Sequence, residues 1–186
     1  MSLLISIEIP GKYDYHTFMG SPLPASILPR VATAAIKRAL RTAPVVVLLG
    51  ARQTGKTTLV RSLPSLAGRP YLTLDDFDLR MQAEADPESV VRRAPTLVLD
   101  EVQRSRDLLI AVKRVVDDDP ARTPGRFVLT GSANLLMTER VSETLAGRAV
   151  YVTLWPFTRR ERLGLGRTGV WSELLSAPFG RWRDLL

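Results

Sequence analysis

The sequence predicts an α/β fold in which helices cover both faces of a central parallel sheet of about five strands. Three observations predict it. Short apolar runs alternate with amphipathic segments over most of the chain. The first run, Val45 to Leu49, is a continuous β-branched and leucine stretch, as strands buried on both faces show. That run leads directly into a glycine-rich turn that opens a helix.

The elements follow in order. Residues 1–25 hold Pro10, Gly11, Gly20, Pro22 and Pro24, which break any periodicity, so an irregular leader is expected. His16, the only histidine, lies there and carries no acid–base or metal role. A helix is expected from about Leu28 to Arg41, with Pro29 in its first turn and Val31, Ala35, Ile36 and Leu40 at helical spacing. Strand Val45 to Leu49 is followed by a helix over Lys56 to Leu63, ended near Pro64. Tyr71 to Leu74 reads as the second strand. Asp76 to Arg93 reads as two helical pieces parted near Pro87, and Thr96 to Leu99 as the third strand. Leu108, Leu109, Val112, Val115 and Val116 mark one face of a helix that ends in the acidic turn Asp117 to Pro120. Phe127 to Leu129 is the fourth strand, a short helix over about Leu135 to Leu145 follows, and Val150 to Leu154 is the fifth. Thr158 and Glu161 have capping-box spacing and announce another helix.

Composition narrows the function classes. The chain of 186 residues is long enough for one domain with a real core. It has no cysteine, so disulfide frameworks and thiolate metal sites are excluded. No apolar run approaches the about 20 residues needed to span a bilayer, and Met1 to Ile9 lacks the basic lead of a signal peptide. A cytoplasmic location is expected. The net charge of +7 permits an anionic partner, including nucleic acid, but no motif supports one. The 22 arginines against 4 lysines are scattered, and a bias of that kind also follows from genome base composition.

The chemistry is concentrated in Gly50-Ala51-Arg52-Gln53-Thr54-Gly55-Lys56-Thr57, which matches G-x-x-x-x-G-K-[ST]. Its glycines permit backbone torsions that let amide groups converge on phosphate oxygens, and the helix that follows adds the positive end of its dipole. Lys56 is expected to reach the β and γ phosphates and Thr57 to put its hydroxyl on magnesium. Thr58 completes the nucleotide-binding set, and Arg52 is expected to face solvent. A plain glycine-rich turn is the alternative. The expected ligands are ATP, or a close nucleoside triphosphate, and Mg2+.

Other residues fall around this loop. Thr96 to Leu99 runs into Asp100 and Glu101, and ligands in such sheets sit beyond the carboxyl ends of the strands. Asp100 is placed near magnesium, through a bound water or Thr57, and Glu101 near the attacking water as its base. Thr130, Ser132 and Asn134 end the fourth strand. Ser132 is the favoured γ-phosphate sensor, although a helix cap explains these residues equally well. Arg148 could reach a neighbouring subunit's site and implies a homo-oligomer if it does; a surface ion pair is as plausible, and Arg140 is a weaker candidate. Asp75 and Asp76 read mainly as a helix cap. Trp155, Trp171 and Trp182 read as core or interface rather than stacking platforms.

Together these motifs resemble the AAA-superfamily ATPases of bacteria and archaea that are usually followed by a C-terminal nuclease-like domain. The matching stretches are Leu49 to Thr57, Leu72-Thr73-Leu74-Asp75-Asp76, Leu99-Asp100-Glu101-Val102-Gln103, Leu129-Thr130-Gly131-Ser132, Leu145-Ala146-Gly147-Arg148 and Leu154-Trp155-Pro156-Phe157-Thr158 with Glu161. The resemblance implies a three-layer P-loop NTPase of the additional-strand, AAA-like type, with Asp100 on magnesium and Glu101 as catalytic base. It also implies a helical lid and a second domain. The expected organisation is a leader over 1–25, an ATPase core over 26–165, and the truncated start of a lid or second domain over 166–186. ATP hydrolysis is the expected activity, and a non-catalytic nucleotide switch, possibly in a DNA-associated assembly, is the alternative. A small-molecule kinase is disfavoured by the adjacent Asp100 and Glu101.

Overall fold

A computed structural model of the chain describes residues 27–132 and 144–164. In these ranges the chain forms helix α1 (Ala32–Thr42), strand β1 (Val45–Gly50), α2 (Lys56–Ser62), β2 (Tyr71–Thr73), α3 (Phe77–Ala85), α4 (Pro87–Val91), β3 (Leu97–Asp100), α5 (Arg106–Asp117), β4 (Phe127–Ser132), β5 (Ala149–Thr153) and α6 (Arg159–Arg162). The leader with His16, all but the last two residues of the helix expected over 135–145, with Arg140, residue Asn134, and the tail with Trp171 and Trp182 lie outside the described residues.

All five strands pair in parallel, in the order β2-β3-β4-β1-β5. A strand therefore stands between β1, which carries the glycine-rich loop, and β3, which ends in Asp100. Successive side chains point to opposite faces of a sheet, and here both faces are apolar. Val45, Val47, Leu49, Leu97, Leu99, Phe127 and Leu129 pack with residues of α3, α4 and α5. Val46, Leu48, Val98, Val128 and Val152 pack with residues of α1 and α2. The result is the three-layer α/β fold of the P-loop NTPases.

Local chemistry explains the helix boundaries. Asp76 caps α3 by accepting from the Leu79 amide at 3.0 Å, as expected of it, and Asp86 and Pro87 separate α3 from α4. Ser105 caps α5. Thr158 and Glu161 form the expected reciprocal capping box at the start of α6. Most boundaries fall within one to three residues of expectation, and the largest difference is at α1. The first helix starts at Ala32 rather than Leu28, because the Val31 amide is taken by the Glu161 carboxylate at 2.9 Å and the Arg30 side chain is drawn into the interior.

The sheet also dictates a glycine. A Cβ at Gly50 would lie 2.4 Å from the backbone oxygen of Leu154, a residue tied to β1 by the hydrogen bond from its amide to the Leu49 carbonyl at 2.6 Å. Gly50→Ala should therefore destabilise the chain by about 1–3 kcal/mol through overpacking. The check is a lower urea midpoint at an unchanged m-value.

Candidate nucleotide site

The parallel sheet brings Gly50, Asp100 and Ser132 to its carboxyl edge, since each ends its strand. Ser132 sits in register with Gly50, and Leu129 with both Val47 and Leu99. The three sequence segments that carry the motifs are thus neighbours.

The loop from Gly50 to Thr57 turns tightly into α2. Gly55 has φ 87° and Gln53 φ 64°, both left-handed, so the turn needs the freedom of glycine at position 55 and strains the backbone at position 53. Ala51, Arg52, Gln53 and Thr58 are exposed, Thr57 is half-buried, and Thr54 is buried with its hydroxyl on the Ala51 carbonyl at 2.9 Å. Arg52 faces solvent as expected. Lys56 is only 6% exposed, yet its ammonium donates to two neutral groups, the carbonyls of Gly50 (2.9 Å) and Ala51 (3.0 Å). Among the described residues it forms no ion pair. A buried ammonium held only by loop carbonyls is poised for an anion at the loop.

Asp100, 5% exposed, is the acceptor of three hydroxyls. Thr57 donates to Oδ2 at 3.3 Å, Tyr71 donates to the same oxygen, and Thr130 donates to Oδ1. The pairing of Thr57 with Asp100 is the juxtaposition expected for a magnesium site. One carboxylate and one hydroxyl suit a hard cation that keeps several waters and otherwise uses substrate phosphates, so the donor set fits Mg2+. Among the described residues no group of three or more acidic or histidine side chains is gathered to hold a metal alone.

Tyr71 was not singled out by sequence, because an aromatic residue opening a strand reads as packing. Burial and the hydrogen bond to Asp100 push its phenol up to about 12. The raised value means that its contribution to stability is complete below about pH 10 and is lost as pH rises through 12. Ultraviolet difference titration should show one tyrosinate forming about two pH units above the unfolded value, and Tyr71→Phe should remove that step.

Beyond the strand end Glu101 takes a left-handed conformation, φ 57°. Its amide donates to Thr130 Oγ1 at 3.3 Å, which ties the backbone of one strand end to the side chain of the next. Gln103 Nε2 donates to the Glu101 carboxylate, and the Ser132 amide donates to Gln103 Oε1 at 3.3 Å. A polar relay therefore joins Glu101 to Ser132 through Gln103, a residue that sequence reasoning noted only as part of a motif. Thr130 is fully buried against Asp100, so of the fourth-strand candidates Ser132 alone lies at the loop among the described residues. Asp75 pairs with Arg104 at 2.7 Å.

Arg148 lies elsewhere. Its carbonyl accepts from the Val45 amide at the start of β1, the opposite end of the sheet from the loop. Its guanidinium grips Asp117 at 2.5 and 2.9 Å. The six-residue β1 puts about 20 Å between Arg148 and the loop of its own chain. Trp155 is 71% exposed, which removes the core half of the core-or-interface expectation and does not bear on the interface half. The carbonyl of Trp155, and not its ring, is held, by Arg30 Nη2 at 2.6 Å.

No helix among the described residues is long and apolar enough to cross a membrane. Comparison with known proteins gives three kinds of likeness. Uncharacterized proteins of Mycobacterium bovis and of Mycobacterium tuberculosis are each 41% identical over 134 residues, which is 71% of this chain. The chain spans 30% of the length of these curated relatives. Among solved structures, a DNA replication initiation factor aligns with TM-score 0.48 and 18% identity, covering 78% of this chain and 49% of that one. The Walker-type ATPase of Pyrococcus abyssi aligns with TM-score 0.46 and 15% identity, covering 86% and 65%. The replication initiator DnaA, bound to AMPPCP and single-stranded DNA, aligns with TM-score 0.48 and 19% identity, covering 81% and 52%. All three TM-scores lie below 0.5, so these likenesses carry no argument about this chain. The family model is decisive: the model described as AAA domain matches residues 42–163, from the end of α1 through the Gly50–Thr57 loop, Asp100 and Ser132 to just past α6, so the chain belongs to the AAA-domain family.

Proposed function

We propose that this chain binds ATP with magnesium and hydrolyses the γ-phosphoryl bond. The observation that carries the proposal is Lys56, a buried ammonium without an ion pair among the described residues, at the mouth of a loop that opens a helix. In this reading the amides of Gly55, Lys56 and Thr57 and the ammonium of Lys56 bind the phosphates. Thr57 and Asp100 hold the cation, with Tyr71 and Thr130 orienting the carboxylate through its two oxygens. Magnesium, when bound, neutralises charge on the phosphate oxygens. Glu101 orients the attacking water and accepts its proton at a carboxylate oxygen. Ser132 senses the γ phosphate, and its place beside Gly50 supports that role. The test is phosphate release by purified chain with Mg2+ and ATP. A chain that neither binds ATP nor releases phosphate would sink the proposal.

A second reading is a nucleotide-binding module without turnover. The bond from Gln103 to the Glu101 carboxylate favours it, since it occupies the group meant for water. ATP affinity without phosphate release at high protein concentration would select this reading over hydrolysis.

Residues 26–165 form the ATPase core in this proposal. Arg148 acts in trans if at all: it would have to leave Asp117 and enter the site of a second copy, which makes a homo-oligomer part of the same proposal. The charge of +7 leaves a DNA-associated role open to a direct test, salt-dependent binding of DNA by this chain.

A further inference from the structure

Arg30 and Glu161 form a buried ion pair at 3.1 Å that the proposed chemistry does not use. Arg30 is 5% exposed and Glu161 3%. The guanidinium spends its three nitrogens on three different segments. Nε donates to Glu161 Oε1, Nη1 donates to the Thr54 carbonyl at 2.9 Å, and Nη2 donates to the Trp155 carbonyl at 2.6 Å. The Phe157 ring covers the guanidinium, its centroid 4.0 Å from Cζ. Glu161 is equally committed: Oε1 also accepts from the Val31 amide, and Oε2 accepts from the amide and hydroxyl of Thr158. One planar fork thus joins the lead-in to α1, the loop after β1 and the segment after β5.

We propose that the Arg30–Glu161 pair is a latch that positions the Gly55 amide for a bound phosphate. The proposal rests on the nucleotide reading above. Its physical core is a single peptide group. No peptide bond among the described residues is cis. In a planar trans peptide the carbonyl and the following N–H point in opposite directions. Arg30 holds the Thr54 carbonyl on one side of the loop, so the Gly55 N–H is aimed at the other. Gly55, at φ 87°, has no side chain to fix that plane by packing. Without the fork the Thr54 carbonyl loses its side-chain donor, the plane is held less firmly, and the donor is presented only part of the time. Glu161 cancels the charge of Arg30, so the latch acts through geometry rather than by adding positive potential. It follows that a lysine at position 30 keeps the charge and loses the function, because an ammonium cannot span three acceptors in a plane.

The experiment compares wild type and Arg30→Lys for Mg·ADP affinity by calorimetry, melting temperature, and the nucleotide-induced shift of the Gly55 amide in 15N-glycine-labelled protein. Arg30→Lys should weaken Mg·ADP about tenfold, the share of one charge-assisted hydrogen bond. It should also shrink the Gly55 amide shift at saturating nucleotide, which a loss of stability alone would not do. If Arg30→Lys does not fold, Phe157→Ala carries the test, since that ring is half-exposed and its removal uncovers the fork. A weakening of about threefold with a reduced Gly55 shift is then expected. Wild type that binds Mg·ADP while the folded variant binds equally well, with the same Gly55 shift, overturns the latch and leaves the nucleotide reading standing. Wild type that does not bind Mg·ADP overturns both.

Discussion

Lys56→Ala should cost the chain about two to three orders of magnitude in Mg·ATP affinity while leaving its melting temperature unchanged or slightly higher. The two halves of this expectation have one cause. In the free protein the ammonium is buried on the Gly50 and Ala51 carbonyls and meets no carboxylate among the described residues. A buried charge with only neutral partners contributes little or nothing to stability, so its removal spares the fold. With nucleotide present the same group would make charge-assisted hydrogen bonds to phosphate, each about 1.5–3 kcal/mol. Titration of ATP in the presence of Mg2+, run beside thermal melts of the apo proteins, measures both. Removing magnesium with a chelator should weaken ATP binding to wild type as well. A Lys56→Ala chain that binds ATP as tightly as wild type would refute the assignment of the loop.

Glu101→Gln should lower the rate of phosphate release by about 10²–10⁴-fold, the usual contribution of a positioned general base. ATP affinity should stay within a few-fold. The separation follows from geometry. Glu101 sits one residue past Asp100, turned by its left-handed backbone, so Asp100 and not Glu101 carries the contact to Thr57. The amide of glutamine can still bond Gln103, so the relay to Ser132 survives and the loop has no reason to move. Single-turnover phosphate release from pre-bound Mg·ATP reads the chemical step alone. Equal release from both proteins would remove Glu101 as the base and leave nucleotide binding intact.

Much of the architecture was legible before any coordinate. Val45 to Leu49 and Phe127 to Leu129 are short apolar runs of the kind that strands buried on both faces show, and both are buried. The break between α3 and α4 was visible as Pro87, and the start of α6 as Thr158 with Glu161. In each case a local rule of backbone or capping chemistry agreed with the fold. The start of α1 was not legible, because it is set by Glu161, which lies 130 residues from Val31 in the chain.

The candidate site divides in the same way. Sequence spacing alone determined the loop with Lys56 and Thr57, and the strand that ends in Asp100 with Glu101 just past it, since these depend on short-range torsions and on one continuous apolar run. Tertiary structure alone decided that Tyr71 and Thr130 both bond Asp100, that Gln103 bridges Glu101 to Ser132, that Arg148 faces away from its own loop, and that Arg30 holds the Thr54 carbonyl. Those contacts join residues from separate segments, and their partners are chosen by strand order and register. No local pattern encodes that order, because it is settled only when every apolar face of the chain is buried at once.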